Sequence, residues 1–112
     1  MRVTSAFFVS ALIRRVGLAG AEALLRRRGA EGAGAIFLIV DRLDGTCDLY
    51  GPAPQSAFAE QATDRLFVAM KERAAPADIE AALAREMKFD PDIWVVAIED
   101  RAGRSFVEVA KV

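Results

Sequence analysis

Histidine is absent from the 112 residues, which removes the commonest general base, the commonest metal ligand and the side chain that changes charge near neutral pH. No Ser-His-Asp or Cys-His arrangement can be built without it. The single cysteine, Cys47, excludes an internal disulfide, a zinc knuckle and a CxxC redox pair, and fits a reducing compartment. An excess of one charge is also lacking: 15 basic and 16 acidic residues leave a formal net charge of −1, which argues against a protein permanently coated with nucleic acid. No hydrophobic run approaches the roughly 20 residues that span a bilayer. Ala6 to Ile13 comes nearest, and it is followed by Arg14 and Arg15 where a signal peptide needs small residues at a cleavage site. A cytoplasmic protein without membrane contact is expected.

What is present is enough to fold. Apolar residues make up 54% of the chain and charged residues 28%, a balance that fits one packed domain over residues 1–112. The charges are unevenly spread. Residues 1–30 carry six arginines (Arg2, Arg14, Arg15, Arg26, Arg27, Arg28) against Glu22 alone, and residues 31–112 carry nine bases against fifteen acids. Folding or homodimerisation that sets the basic third beside acidic groups is one reading of this asymmetry. An anion- or RNA-binding face is the other.

Thr4 or Ser5 can cap a helix over Ser5 to Ala19, with Phe8, Leu12, Arg15, Val16 and Ala19 on one stripe and Gly20 as its left-handed stop. Glu22 to Arg28 reads as a strand. Ala35 to Val40 is an unbroken apolar run, too short and too rich in β-branched and aromatic residues for a helix, and it needs cover on both faces. Asp44-Gly45 signals a hairpin with positive φ at both central residues, leading to a strand from Thr46 to Tyr50 that Pro52 and Pro54 end. Gln55 to Asp64 has no period and reads as loop with one helical turn at most. Arg65 to Met70 is a strand. Pro76 in a first turn, Asp78 and Glu80 near the positive dipole end, and Arg85 and Lys88 near the negative end mark a second helix to Met87 or Lys88. Asp92 to Asp100 is a strand apolar on both sides, and Ser105 to Val109 is expected to pair back on it. Hairpins outnumber βαβ units, so the expected fold is α+β: a mainly antiparallel sheet of five or six strands with two helices packed on one side.

Few residues carry chemistry. Asp90 and Asp92 flank a proline and could hold Mg²⁺ or Ca²⁺, although turn chemistry explains them better. Asp90 sits at the helix end that disfavours anions, so an arginine partner from the N-terminal third, Arg14 or Arg15, is expected as a structural ion pair. Glu99 and Asp100 point to opposite faces of a strand and cannot act as a paired acid and base. Asp41, Asp44 and Asp48 lack EF-hand spacing and read as turn residues. The glycines at 29, 32 and 34 lead into a strand rather than a helix and are followed by no GK[ST], so a hairpin loop is favoured over a phosphate loop. Cys47 reads as a small buried hydrophobe, and Trp94 and Phe89 as core anchors. Arg14, Arg15 and Arg26, Arg27, Arg28 form the one constellation able to grip phosphate, but no aromatic residue is interleaved with them to stack bases.

Three blocks carry a resemblance. They are Val9-Ser10-Ala11-Leu12-Ile13-Arg14-Arg15; Gly34-Ala35-Ile36-Phe37 through Asp41-Arg42-Leu43-Asp44-Gly45-Thr46 to Leu49-Tyr50-Gly51-Pro52-Ala53-Pro54; and Arg85-Glu86 with Phe89-Asp90-Pro91-Asp92-Ile93-Trp94-Val95-Val96 and Glu99-Asp100-Arg101. In this order they make the chain resemble a family of short alphaproteobacterial proteins known as domain of unknown function 1491. The likeness covers almost the whole chain and implies a bacterial, cytoplasmic protein. It brings no activity, cofactor or site residue.

The function class expected from the residues is a non-enzymatic interaction module that self-associates, as a homodimer, or binds a protein partner, with no cofactor. An RNA- or phosphate-ligand-binding protein using the arginine cluster comes second, and a metal-assisted phosphoester enzyme at Asp90 and Asp92 third. From the apolar fraction and the lack of cysteine pairs or histidine, thermal unfolding is expected to be one cooperative step that neither a chelator nor a reductant shifts. Scanning calorimetry with and without each additive checks this.

Overall fold

The computed structural model describes residues 3–54 and 65–111; the expected loop at 55–64 lies outside them. Among these residues two helices and five strands follow one another as α1 (Ser5–Leu18), β1 (Glu22–Arg27), β2 (Ile36–Asp41), β3 (Cys47–Pro52), β4 (Phe67–Ala74), α2 (Pro76–Phe89) and β5 (Trp94–Glu99). The strands form a single sheet in the order β1-β5-β2-β3-β4. Three of its pairings are antiparallel, and the central one, β2 with β5, is parallel. The α+β class and the mainly antiparallel sheet are thus as expected. Among the described residues no helix is long and apolar enough to cross a membrane.

The helices do not share a face, as had been expected. Val9, Leu12 and Val16 of α1 pack with Ile36, Leu38 and Val40 of β2 and Trp94, Val96 and Ile98 of β5. Ile79, Ala82 and Leu83 of α2 pack with Phe37, Ile39, Leu49 and Val95 from the opposite side. The reason is the composition of β2 and β5. Both strands are apolar at successive positions, successive side chains point to opposite faces, and burying both faces needs a helix on each.

α1 starts where Thr4, extended at φ −65° and ψ 158°, accepts the Phe7 N–H on its hydroxyl at 3.2 Å. The next two N–H groups, of Ser5 and Ala6, donate to the carbonyls of Gly32 and Glu31, both at 3.0 Å, and the buried Ser5 hydroxyl donates to Gly34 at 2.6 Å. The glycine-rich segment therefore caps α1 with carbonyl oxygens, presenting acceptors to the helix start where a phosphate loop presents donors. It is not a hairpin loop either, because β5 lies between β1 and β2. The same segment runs tightly over residues 92–94. A Cβ on Gly29 would meet the Asp92 carbonyl oxygen and lie 2.7 Å from the Trp94 ring, and one on Gly34 would lie 2.6 Å from that carbonyl. The Trp94 indole N–H donates to the Ala30 carbonyl at 2.8 Å.

Three further expectations are corrected. The β2–β3 turn is not a two-residue Asp-Gly turn: Leu43 at φ 62° and Gly45 at φ 91° take the left-handed positions. Asp41 Oδ1 accepts the Leu43 N–H at 2.8 Å, and Asp44 Oδ1 accepts the Thr46 N–H at 2.9 Å. These side-chain bonds hold a longer turn closed by Arg42 N–H to Thr46 carbonyl. Residues 105–109 form no strand on β5. After Asp100 the chain turns at Gly103 and crosses the sheet to the far edge, where Val109 makes a parallel bridge with Phe67. Phe89 is 90% exposed and anchors no core; the inward positions of α2 go to Ile79, Ala82, Leu83 and Met87, and Phe89 falls off that stripe at the helix end.

Gly29→Ala forces backbone apart where no flexible side chain can yield, so a loss of about 1–3 kcal/mol is expected. Gly32→Ala, with nothing within 4 Å of the new Cβ, should stay within about 0.5 kcal/mol of wild type. Denaturant unfolding of the two variants checks the contrast.

Candidate functional site

The five arginines of the sequence constellation are not gathered into one patch. Arg14 and Arg15 lie in the second half of α1, where Arg15 donates to the Phe106 carbonyl at 2.7 Å. Arg26 reaches α2, on the other face of the sheet, and forms a fork on Glu80 with Nη1 at 2.8 Å and Nη2 at 3.1 Å. Arg27 donates to the Pro91 carbonyl. The Arg28 guanidinium lies 5.1 Å from the centre of the Trp94 ring, a cation–π contact. Four of these five arginines are thus engaged within the chain, one of them on a carboxylate.

The ion pair expected between Asp90 and Arg14 or Arg15 is not formed. α1 and α2 occupy opposite faces, and Asp90 Oδ1 accepts the Asp92 N–H at 2.9 Å. That local turn supplies the compensation at the helix end. Asp92 is exposed, and among the described residues no three His, Cys, Asp or Glu side chains are placed to hold a metal. Asp48, read as a turn residue, is fully buried. Arg42 donates to its Oδ2 from Nε at 2.9 Å, and the Arg73 N–H donates to its Oδ1 at 2.8 Å. A buried carboxylate needs such partners. Asp100 is likewise buried and held by Arg104 Nε at 2.9 Å and Nη2 at 3.0 Å, which keeps its carboxyl below the ordinary aspartate range. Both pairs tie loops to the sheet.

One groove of about 330 Å³ lies on the α1 side, lined by Phe7, Phe8, Arg15, Arg65 and Phe106, and another lies where the edge of the sheet at β1 meets the α2 face. α2 covers β2 and β3 and leaves β1 and the neighbouring part of β5 open, which creates a groove of about 320 Å³. Leu24, Ala97, Ile39, Cys47 and Ile79 line its apolar part. The Cys47 thiol is pushed up by burial first and by the carboxylates of Asp41, Asp48 and Asp44 next, so it stays protonated and inert. Leu24 stands 56% exposed on the edge.

One end of the groove carries a row of like charges. Glu22 is opposite Glu99, and Glu99 is opposite Asp41, in three adjacent strands. Residues in register share a face, and all three line the groove. Directly opposed like charges are unfavourable, and Pro76 and Ile79 from the first turn of α2 line the same groove. The row can receive a base or a donor from outside the chain. Sequence reasoning missed Glu22 and Leu24 because nothing local shows which strand is an edge. The available signal was the alternation Glu22, Leu24, Arg26, an outward face with one exposed leucine between opposite charges.

Comparison with known proteins follows this geometry. The family model described as a protein of unknown function, DUF1491, matches residues 3–108. A solution structure of a protein from A. tumefaciens is 44% identical, covers 100% of this chain and 98% of its own, and superposes with a TM-score of 0.87. A crystal structure of a DUF1491 family protein from Caulobacter crescentus is 37% identical over 99% of this chain and 100% of its own, with a TM-score of 0.81. An NMR structure of a DUF1491 family protein from that bacterium gives 37% identity and 0.80, with 99% of each chain covered. No curated protein matches. The resemblance read from the three sequence blocks is borne out.

The Arg26 fork holds the Glu80 carboxyl below the usual glutamate range, its hydrogen bonds contributing most. Because the folded pKa is the lower one, the pair's contribution to stability is complete above the unfolded value and is lost as pH falls through the folded one. In a carbon-13 titration the Glu80 midpoint should lie below the ordinary glutamate value, and Arg26→Gln should raise it.

Proposed function

Since the chain belongs to the DUF1491 family, which brings no assigned activity, we propose its function from geometry: it is an interaction module that takes up an extended protein strand on the open edge of β1. The observation that carries this is the edge strand itself, with Leu24 56% exposed beside an apolar groove whose rim bears Glu22, Glu99 and Asp41. An unpaired edge offers a row of backbone donors and acceptors to another strand. The groove beside it offers an apolar contact for one side chain of that strand, and the acid row favours a basic residue two positions away. The ligand is therefore a β-strand of pattern apolar-x-basic. The RNA and phosphate reading has less support, since four of the five arginines are already engaged within the chain.

A photoreactive amino acid in place of Leu24, introduced into the protein in its source cell, should cross-link to protein. The same group in place of Arg85, on the exposed side of α2, should give at most background. Equal yields at the two positions would defeat the proposal, and mass spectrometry of the adduct identifies the partner.

A further inference from the structure

We infer that the strand received at this edge is β1 of a second copy of the same chain, paired antiparallel about a two-fold axis through Leu24. This rests on the interaction reading above and names its partner. Register constrains the pairing. When a strand pairs antiparallel with its own copy, residues i and j stand opposite with a constant sum. Opposite residues share a face, so that sum must be even. For β1 this leaves centres at Ala23, Leu24 or Leu25 in its regular part, because the register shifts by one residue between Leu25 and Arg27.

The three centres differ in chemistry. Centring on Ala23 sets Glu22 against a leucine, and centring on Leu25 sets Leu24 against an arginine. Centring on Leu24 sets Ala23 opposite the partner's Leu25 and Leu24 opposite its own copy, and brings Glu22 to the partner's Arg26, which falls at the register shift on β5 yet lines the groove with Glu22 and Leu24. Each pair on the groove side is then complementary, and symmetry makes the charge pair twice. Directly opposed side chains have Cβ atoms about 4.5–5.5 Å apart, close enough for both contacts.

The same register answers the row of like charges. It adds the partner's Arg26 next to Glu22, so that a cation ends the line Glu22, Glu99, Asp41. Arg26 need not leave Glu80 to do this. Its guanidinium has five N–H donors, and Glu80 engages two nitrogens. The next row inward becomes Leu24 of both copies, then Ala97 and Ile39, which are in register across β5 and β2. The partner's Leu24 thereby extends the apolar groove lining. The two-fold axis runs normal to the sheet, so a single ten-stranded sheet results, with both copies of α1 on one face and both grooves on the other.

Sedimentation of the full chain over a wide concentration range tests the inference. Wild type should approach about twice 12.1 kDa at high concentration. Glu22→Arg alone opposes two arginines and Arg26→Glu alone opposes two glutamates, and each should weaken self-association by at least about tenfold. An equimolar mixture of the two single variants should form a heterodimer, since every opposed pair is then Arg against Glu, and the double variant should recover the homodimer. Glu72→Arg, exposed on β4 at the far edge of the sheet, should change nothing. Circular dichroism melts keep the outcome interpretable, because both substituted side chains are exposed and their loss spares the core. A monomeric wild type, single variants that still dimerise, or a mixture that stays monomeric would each overturn the pairing. If wild type is monomeric yet position 24 cross-links to a different protein, self-pairing fails and the interaction reading stands; if position 24 cross-links to nothing, both fail.

Discussion

The close approach of residues 29–34 to residues 92–94 is the contact on which the remaining architecture depends. β1 and β2 are successive strands separated in the sheet by β5, so the chain must step over the start of β5 to connect them. It does so with glycine at the two points where a side chain would collide with the Asp92 carbonyl. Ala30 N–H donates to Asp92 and Trp94 N–H donates to Ala35, at 3.0 and 2.8 Å. The first bond continues the antiparallel register in which Arg27 faces Val95 on β5, and the second starts the parallel β2–β5 ladder, whose strand direction no hairpin can supply. The outward carbonyls of the same step cap α1. One segment therefore sets the sheet order, seats a helix and binds the tryptophan.

From that step follows the fate of the basic residues. β1 enters the crossover through Arg26, Arg27 and Arg28, and each finds a partner where the chain passes it: Glu80 on α2, the Pro91 carbonyl, and the face of Trp94. Exposed pairs of this kind contribute little to stability, yet they spread the three guanidiniums over different partners instead of gathering them into one anion-binding cluster. The opposite imbalance then stands at the beginning of β1, where the acid row has no counterpart within the row itself.

Much of this was legible in sequence because it depends on local rules. Thr4 caps α1, Pro76 opens α2, Asp90-Pro91 ends it, and the run 35–40 and the stretch 92–100 contain the two central strands. The two-sided apolarity of those strands already demanded cover on both faces, and placing both helices on one side contradicted it. What could not be read is long-range: that β5 inserts between β1 and β2, that residues 105–109 cross to β4, and that Asp48 sinks into the interior to meet Arg42. Buried aspartates beside a hairpin look like turn residues until the fold shows what lies above them. The candidate site was least legible of all, since an edge exists only by virtue of which strand has no neighbour.

The two edges of the sheet are treated differently, and the difference bears on how association can end. At β4 the C-terminal segment lies against Phe67, with backbone bonds from Phe67 N–H to Glu108 and from Ala110 N–H to Phe67. That covers the start of β4 with this chain's own backbone. At β1 the defence is shorter: a register shift after Leu25 and charges at either end of a four-residue regular ladder. A bulge and flanking charges restrict pairing to strands of complementary pattern and prevent a long flat ladder. Pairing of β1 with its own copy is isologous and consumes the surface on both partners, so it closes at two. Association through one edge against the other would be heterologous and open-ended, and the backbone bonds at Phe67 stand against it. The cover at β4 is confined to its first residue, so closure at two would rest on the isologous contact at β1, which consumes the same surface on both copies.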